Sequence, residues 1–223
     1  MNTKVILDFL SDLSSNNSKE WMDQNRSRYT EVRNIWMAEV ELFLRSLSRF
    51  DERLEAVQAK ETVHRINNNR RFQPDKPLYK DNFTFTPFMK IAPASFHLSI
   101  SPGNSFVGGG LYHPPSDLLS KVRQRIEHEG NLLEEILTDS DFLEYYGGLA
   151  LKDEALKSAP LGYLKDHPQI GLLRMKSFVA IRKLSDKEVI EADLLELVEY
   201  SFQLIKPMVD YLNFAIDSIV GQE

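Results

Sequence analysis

Residues 95–112 read Ser95-Phe96-His97-Leu98-Ser99-Ile100-Ser101-Pro102-Gly103-Asn104-Ser105-Phe106-Val107-Gly108-Gly109-Gly110-Leu111-Tyr112. Phe96, Leu98 and Ile100 alternate with Ser95, His97, Ser99 and Ser101, a period of two that gives a strand one apolar and one polar face. In Ser101-Pro102-Gly103-Asn104, Pro stands where φ is wanted at about −65° and Gly where φ must be positive, which predicts a type II turn. The stretch therefore reads as a β-hairpin. Residues 62–67 and 83–90 also read as strands, and residues 177–182 (Ser-Phe-Val-Ala-Ile-Arg) predict a further strand of the same sheet.

Outside this middle region the period changes to that of helices. Ile6, Phe9, Leu10 and Leu13 make one short stripe, and Tyr29, Val32, Trp36, Val40, Phe43, Leu47 and Phe50 recur at steps of three and four. The second set predicts one long amphipathic helix starting near Asn17, with Glu20 completing a capping box. After Pro114-Pro115 a helix capped by Ser116 or Asp117 is expected, with Leu119, Val122 and Ile126 buried and Gly130 as its stop. Two short helices follow, near 132–137 and 141–146, ended by Gly147-Gly148, and an extended loop runs from Ala159 to Pro168. Ser185 with Glu188 opens a last long helix whose stripe runs from Leu195 through Val198, Phe202, Ile205, Val209, Leu212 and Ile216 to Ile219, with Pro207 expected to kink it. Its seam is regular enough for a coiled coil, but a second apolar set widens it toward burial on the sheet. Helices at both ends and antiparallel strands between them predict an α+β fold, with an antiparallel sheet covered by the long N- and C-terminal helices. No strand–helix–strand repeat supports a doubly wound sheet.

With 223 residues, 42% hydrophobic and 27% charged, the chain is large enough for a substantial core, and a single domain over residues 1–223 is expected. Cysteine is absent, which excludes disulfides, thiolate nucleophiles and Cys-ligated metals and fits a reducing compartment, so a cytoplasmic location is expected. The start Met1-Asn2-Thr3-Lys4 carries no signal-like apolar run, and no long uncharged apolar stretch predicts a membrane span. The net charge of −6 argues against indiscriminate nucleic-acid binding.

One segment departs from that acidity. Between Lys60 and Lys80 six Lys or Arg face two acids, a net charge of +4 that leaves −10 on the rest of the chain. Within it, Arg65-Ile66-Asn67, Arg71-Phe72, Asp75-Lys76 and Tyr79-Lys80 stand in a pattern that resembles an uncharacterised bacterial and fungal family, the domain of unknown function numbered 2461. That family's signature runs roughly Arg-Ile-x-Arg-Asp-x-Arg-Phe-x-x-Asp-Lys-x-Pro-Tyr-Lys. Asn16-Asn17 with Glu20-Trp21, Gly108 to Tyr112 with Pro114, Arg123, and Pro160 to Tyr163 with His167-Pro168 extend the resemblance over nearly the whole chain. The family's Arg-Asp pair is Asn68-Asn69 here, and its Pro is Leu78. The resemblance implies the extent of the domain and brings no activity with it.

Arg65, Arg71, Lys76, Tyr79 and Lys80 are suited to grip a phosphate or carboxylate, with Asp75 as general base or as the partner that holds Lys76 and Arg71. The competing reading is a solvated, salt-bridged loop. Asn67 and its two neighbours serve either as amide donors or as a turn. Gly109 and Gly110 allow either close backbone approach to an anion or a crowded strand crossing. His97 is a candidate acid or base on its strand's polar face, or an ordinary hydrogen-bonded histidine. His64, His113, His128 and His167 fall at no metal-ligand spacing, so neither a metal nor another cofactor is expected. Trp21, Trp36 and the phenylalanines read as core. The leading expectation is an anionic, phosphate-bearing small molecule held between the 65–80 loop and the Gly108 hairpin, with no reaction named. The alternatives are a nucleic-acid or nucleotide-binding module with Phe72 and Tyr79 as stacking platforms, and a scaffold whose basic loop docks an acidic protein surface.

Overall fold

The structure, a computed structural model, describes residues 3–71 and 73–217. In chain order it contains α1 (Thr3–Ser15), α2 (Lys19–Gln24), α3 (Arg26–Leu47), β1 (Phe83–Phe85), β2 (Ser95–Ile100), β3 (Ser105–Leu111), α4 (Ser116–Thr138), α5 (Ser140–Tyr146), α6 (Ile170–Leu173), β4 (Phe178–Leu184), α7 (Asp186–Glu191) and α8 (Leu194–Asp217). The strands form one antiparallel sheet in the order β1-β2-β3-β4, an α+β fold as the patterning predicts. Among the described residues no helix is long and apolar enough to cross a membrane. The chain divides into two compact units. One is built on the residues up to Lys90 with 97–107 and 183–201, the other on 91–96, 108–182 and the residues from Phe202 onward.

In the first unit the stripe of α1 is fully buried at Ile6, Phe9, Leu10 and Leu13. The predicted long helix is two helices. Ser18, not Asn17, caps α2 by accepting the Trp21 N–H at 3.2 Å, and the chain breaks at Asn25 before α3 resumes the buried stripe Val32, Trp36, Val40, Phe43 and Leu47. Pairing Phe83 with Ile100 and Phe85 with Leu98 puts four large apolar side chains on one face of the sheet. There α3 meets them: Trp36 stacks on Phe83 at 6.1 Å and Phe43 tilts onto Phe85 at 5.5 Å. The 83–90 strand stops at Phe85, since Pro87 has no N–H for a ladder and the Thr86 N–H donates to Thr62 O instead. Residues 62–67 are not a regular strand; Thr62 closes the 3-10 turn Ala59–Glu61, and the later part makes a single bridge, Asn67 to Tyr79. The hairpin turn has the predicted form: Gly103 lies at φ +65° and Asn104 N–H returns to Ser101 O at 3.0 Å. Asp186 of α7 accepts the Gly103 N–H at 2.8 Å and pins it. The capping box of Ser185 and Glu188 is present, but the helix it opens ends at Glu191, and Asp193 starts α8 afresh by accepting the N–H of Leu195. Ile219, the last residue of the predicted stripe, lies outside the described residues.

In the second unit, Phe96 packs edge-on against Phe202 of α8 at 5.7 Å. Neither Ser116 nor Asp117 caps α4; Pro115 occupies that position without a side-chain bond. The α4 span is interrupted at Glu129 (φ −131°, ψ 29°), next to the predicted stop at Gly130, and a second helical segment beyond this kink covers the predicted 132–137. The glycine is needed for space, because a Cβ there would lie 2.6 Å from Gln169 Cγ. Gly147 ends α5 in the left-handed region at φ +71°. Arg123, one of the residues that carry the family resemblance, donates to Leu173 O and Met175 O at 2.8 and 3.2 Å and so ties α4 to the end of α6.

Candidate functional site

The basic segment folds as a narrow ribbon in the first unit. Lys80 N–H donates to Ile66 O at 2.7 Å and Asn68 N–H to Leu78 O at 3.0 Å, on either side of the bridge between Asn67 and Tyr79. In this register the N–H and C=O of Tyr79 turn away from Asn67, and Asn17 takes both: its Nδ2 donates to Tyr79 O and its Oδ1 accepts from Tyr79 N, each at 2.9 Å. The amide of Asn17 thus stands in for a third strand. Asn17→Ala leaves two part-buried backbone groups without these partners and is expected to cost about 2 kcal/mol, at about 1 kcal/mol for each lost bond; urea denaturation measures it.

The tip of the ribbon is a built turn. Arg70 donates to Pro74 O, Asn69 Oδ1 accepts the Arg71 N–H at 3.1 Å, and Asn68 Nδ2 donates to Pro77 O at 3.0 Å. Asn68 and Asn69 therefore spend their side chains on the loop, as the turn reading expects of these two. Phe72 lies outside the described residues.

Two concavities of the first unit are lined by the ribbon. The larger, about 440 Å³, takes Lys76, Tyr79 and Lys80 from the ribbon, Asn17 from the turn after α1, and Asn82, Ser99, Ser101 and Phe106 from the sheet. The smaller, about 200 Å³, takes Arg65 and Asn67. Arg71 and Asp75 line neither. Gly109 and Gly110 belong to the second unit, and close strand packing accounts for both: a Cβ on Gly109 would fall 2.4 Å from Ser95 O and one on Gly110 1.9 Å from Phe178 O. The sequence thus names the cationic part of the larger concavity but not its amide and hydroxyl wall. Asn82 and the buried serines were legible only as the polar half of an alternating strand. Asn17, at the head of the family resemblance, has the local pattern of a helix cap, which hides its role at Tyr79.

The electrostatics of the ribbon are one-sided. Lys80 Nζ donates to Arg65 O at 2.8 Å, and burial together with the charges of Arg65 and Lys76 lowers its proton affinity below that of an ordinary lysine. No carboxylate among the described residues forms an ion pair with Lys76 or Lys80, although Asp81 also lines the concavity. His97 sits apart, lining neither concavity. Its Nδ1 is 2.7 Å from Thr86 Oγ1 and its ring stacks on Phe106 at 5.4 Å; burial, then the charge of His64, push its pKa down to about 4. It is neutral at neutral pH. Among the described residues no group of three or more His, Asp or Glu side chains is placed to hold a metal ion.

The fold and the ribbon define an α+β protein with a cationic, amide-lined surface concavity. The chain belongs to the family described as "Conserved hypothetical protein (DUF2461)", which it matches over residues 5–211. Comparison with the curated proteins and with the solved structures finds no match.

Proposed function

We propose that the protein binds a compact, phosphate-bearing small molecule in the larger concavity, with Lys76 and Lys80 holding the anion and the amide and hydroxyl wall holding the rest. The observation that carries this reading is the presence of two lysines without ion-pair partners among the described residues in one concavity of about 440 Å³, the size range of small-molecule sites. An anion there relieves the repulsion felt by Lys80 and supplies the negative charge that neither ammonium group meets in an ion pair among the described residues. Asn82, Ser99, Ser101 and Asn104 offer both donors and acceptors, which suits a hydroxyl-bearing or heterocyclic body against Phe106. Asp75 and His97 line no part of it, so the reading assigns binding and no catalytic step. A cytoplasmic location fits a cysteine-free chain with a metabolite-sized site. Stacking of a nucleic-acid base on Tyr79 has no support, since that residue is 7% exposed.

A thermal-shift series with inorganic phosphate, sugar phosphates and mononucleotides tests the reading. A binder at about 100 times its dissociation constant stabilises the wild type by about 2.7 kcal/mol, and Lys76→Ala/Lys80→Ala abolishes the shift. A shift of equal size in both proteins would place the binding elsewhere.

A further inference from the structure

The smaller concavity combines features that the larger lacks. Its rim carries Arg33, Lys60 and Arg65, no acid lines it, and none of these three cations forms an ion pair among the described residues. This stands out in a chain of net −6, where Lys4, Lys19, Arg28 and Lys90 each meet a carboxylate within 3.2 Å. Beneath the rim lie Trp36, Ile66 and Phe83, all buried, so the wall is apolar below and cationic above. Trp36 adds an independent observation. It is 2% exposed, and its indole Nε1 finds no acceptor among the described residues, which is costly for a buried donor. Cations, an indole N–H and an amide make the lining rich in donors, and a ligand rich in acceptors complements it.

We propose that this concavity is a second binding site, for a compact organic oxyanion whose carboxylate or phosphate is held by Arg33, Lys60 and Arg65 while a flat apolar body lies against Trp36 and Phe83. The volume of about 200 Å³ is below the roughly 300 Å³ at which drug-sized sites begin, so the ligand is small. The guanidinium groups offer paired N–H donors that match either oxyanion. This proposal does not depend on ligand binding at Lys76 and Lys80.

Tryptophan occurs twice in the chain, so in a Trp21→Phe protein the emission of Trp36 alone reports the concavity. That protein is titrated with benzoate, with phenyl phosphate and with neutral benzyl alcohol. The expected result is a saturable change with at least one anion and none with the alcohol. Arg33→Ala/Lys60→Ala, at two exposed positions, weakens binding about tenfold or more, whereas Lys76→Ala, which lies outside this concavity's lining, leaves it within about twofold. The tighter of the two anions names the oxyanion. The proposal is overturned if neither anion titrates, if the alcohol binds as well as the anions, or if affinity follows Lys76 instead of Arg33 and Lys60.

Discussion

Gly110→Ala is expected to cost about 4 kcal/mol or more, enough to leave the chain largely unfolded in a urea titration if its stability is ordinary. Two independent effects combine. Gly110 sits at φ +119°, outside the regions open to an L-residue, and its added Cβ would approach Phe178 O to 1.9 Å and Met208 Cε to 3.0 Å. The methionine end can swing away, but the Phe178 carbonyl belongs to the backbone of β4 itself and cannot move without disturbing the sheet. Gly147→Ala is the control. That residue also has positive φ, at +71°, but nothing lies within 4 Å of its Cβ position, so only the left-handed penalty of about 1–2 kcal/mol applies. A Gly110→Ala protein as stable as Gly147→Ala would remove the packing explanation and return the glycine to consideration as a ligand contact.

Acidification is expected to remove roughly 3 kcal/mol of stability through His97 alone. Its folded pKa, about 4, lies below the ordinary 6.5, so the unfolded chain takes up the proton first as pH falls. The stability is fully present above pH 6.5, declines through the window down to about 4, and stays lost below it. His64, whose affinity is also lowered by burial and by Lys80, adds to the loss in the same direction. Urea titrations at neutral pH and near pH 4 measure the difference, and His97→Gln, which cannot titrate, should show a clearly shallower decline. An equal decline in both proteins would assign the acid sensitivity to other groups.

The fold was legible where local chemistry and tertiary need agree. The hairpin around Gly103, the capping box at Ser185 and the stripe of α1 all follow from periodicity and turn chemistry. It was not legible where a long-range partner decides. Asn17 looks like a helix cap, yet Tyr79, sixty-two residues later in sequence, claims its amide, and Ser18 takes the cap. Gly130 stands beside the kink at Glu129, where a stop is expected, but the Gln169 side chain that leaves no room for a Cβ there is invisible to local patterning. The long helices at both ends break at Asn25, whose amide donates back to Trp21 O, and at Ala192-Asp193, where the Asp193 carboxylate caps α8, and apolar periodicity continues across both breaks. For the site, a count of basic residues finds the ribbon but cannot assign them to its two concavities, because backbone pairing, not composition, places Arg65 in the smaller and Lys80 in the larger. Trp36 reads as core from its spacing, and only its unpartnered indole distinguishes it from the other buried aromatics.

The central claim is that Lys76 and Lys80 form an anion site whose charge is unbalanced in the free protein. It is tested most directly by titrating the Lys80 side chain by NMR, through its ε-carbon, with and without inorganic pyrophosphate. Lys80 should titrate below the ordinary lysine value of 10.5 in the free protein, move upward when pyrophosphate binds, and lose most of that response in Lys76→Ala. A Lys80 that titrates at the ordinary value and ignores pyrophosphate would contradict the account.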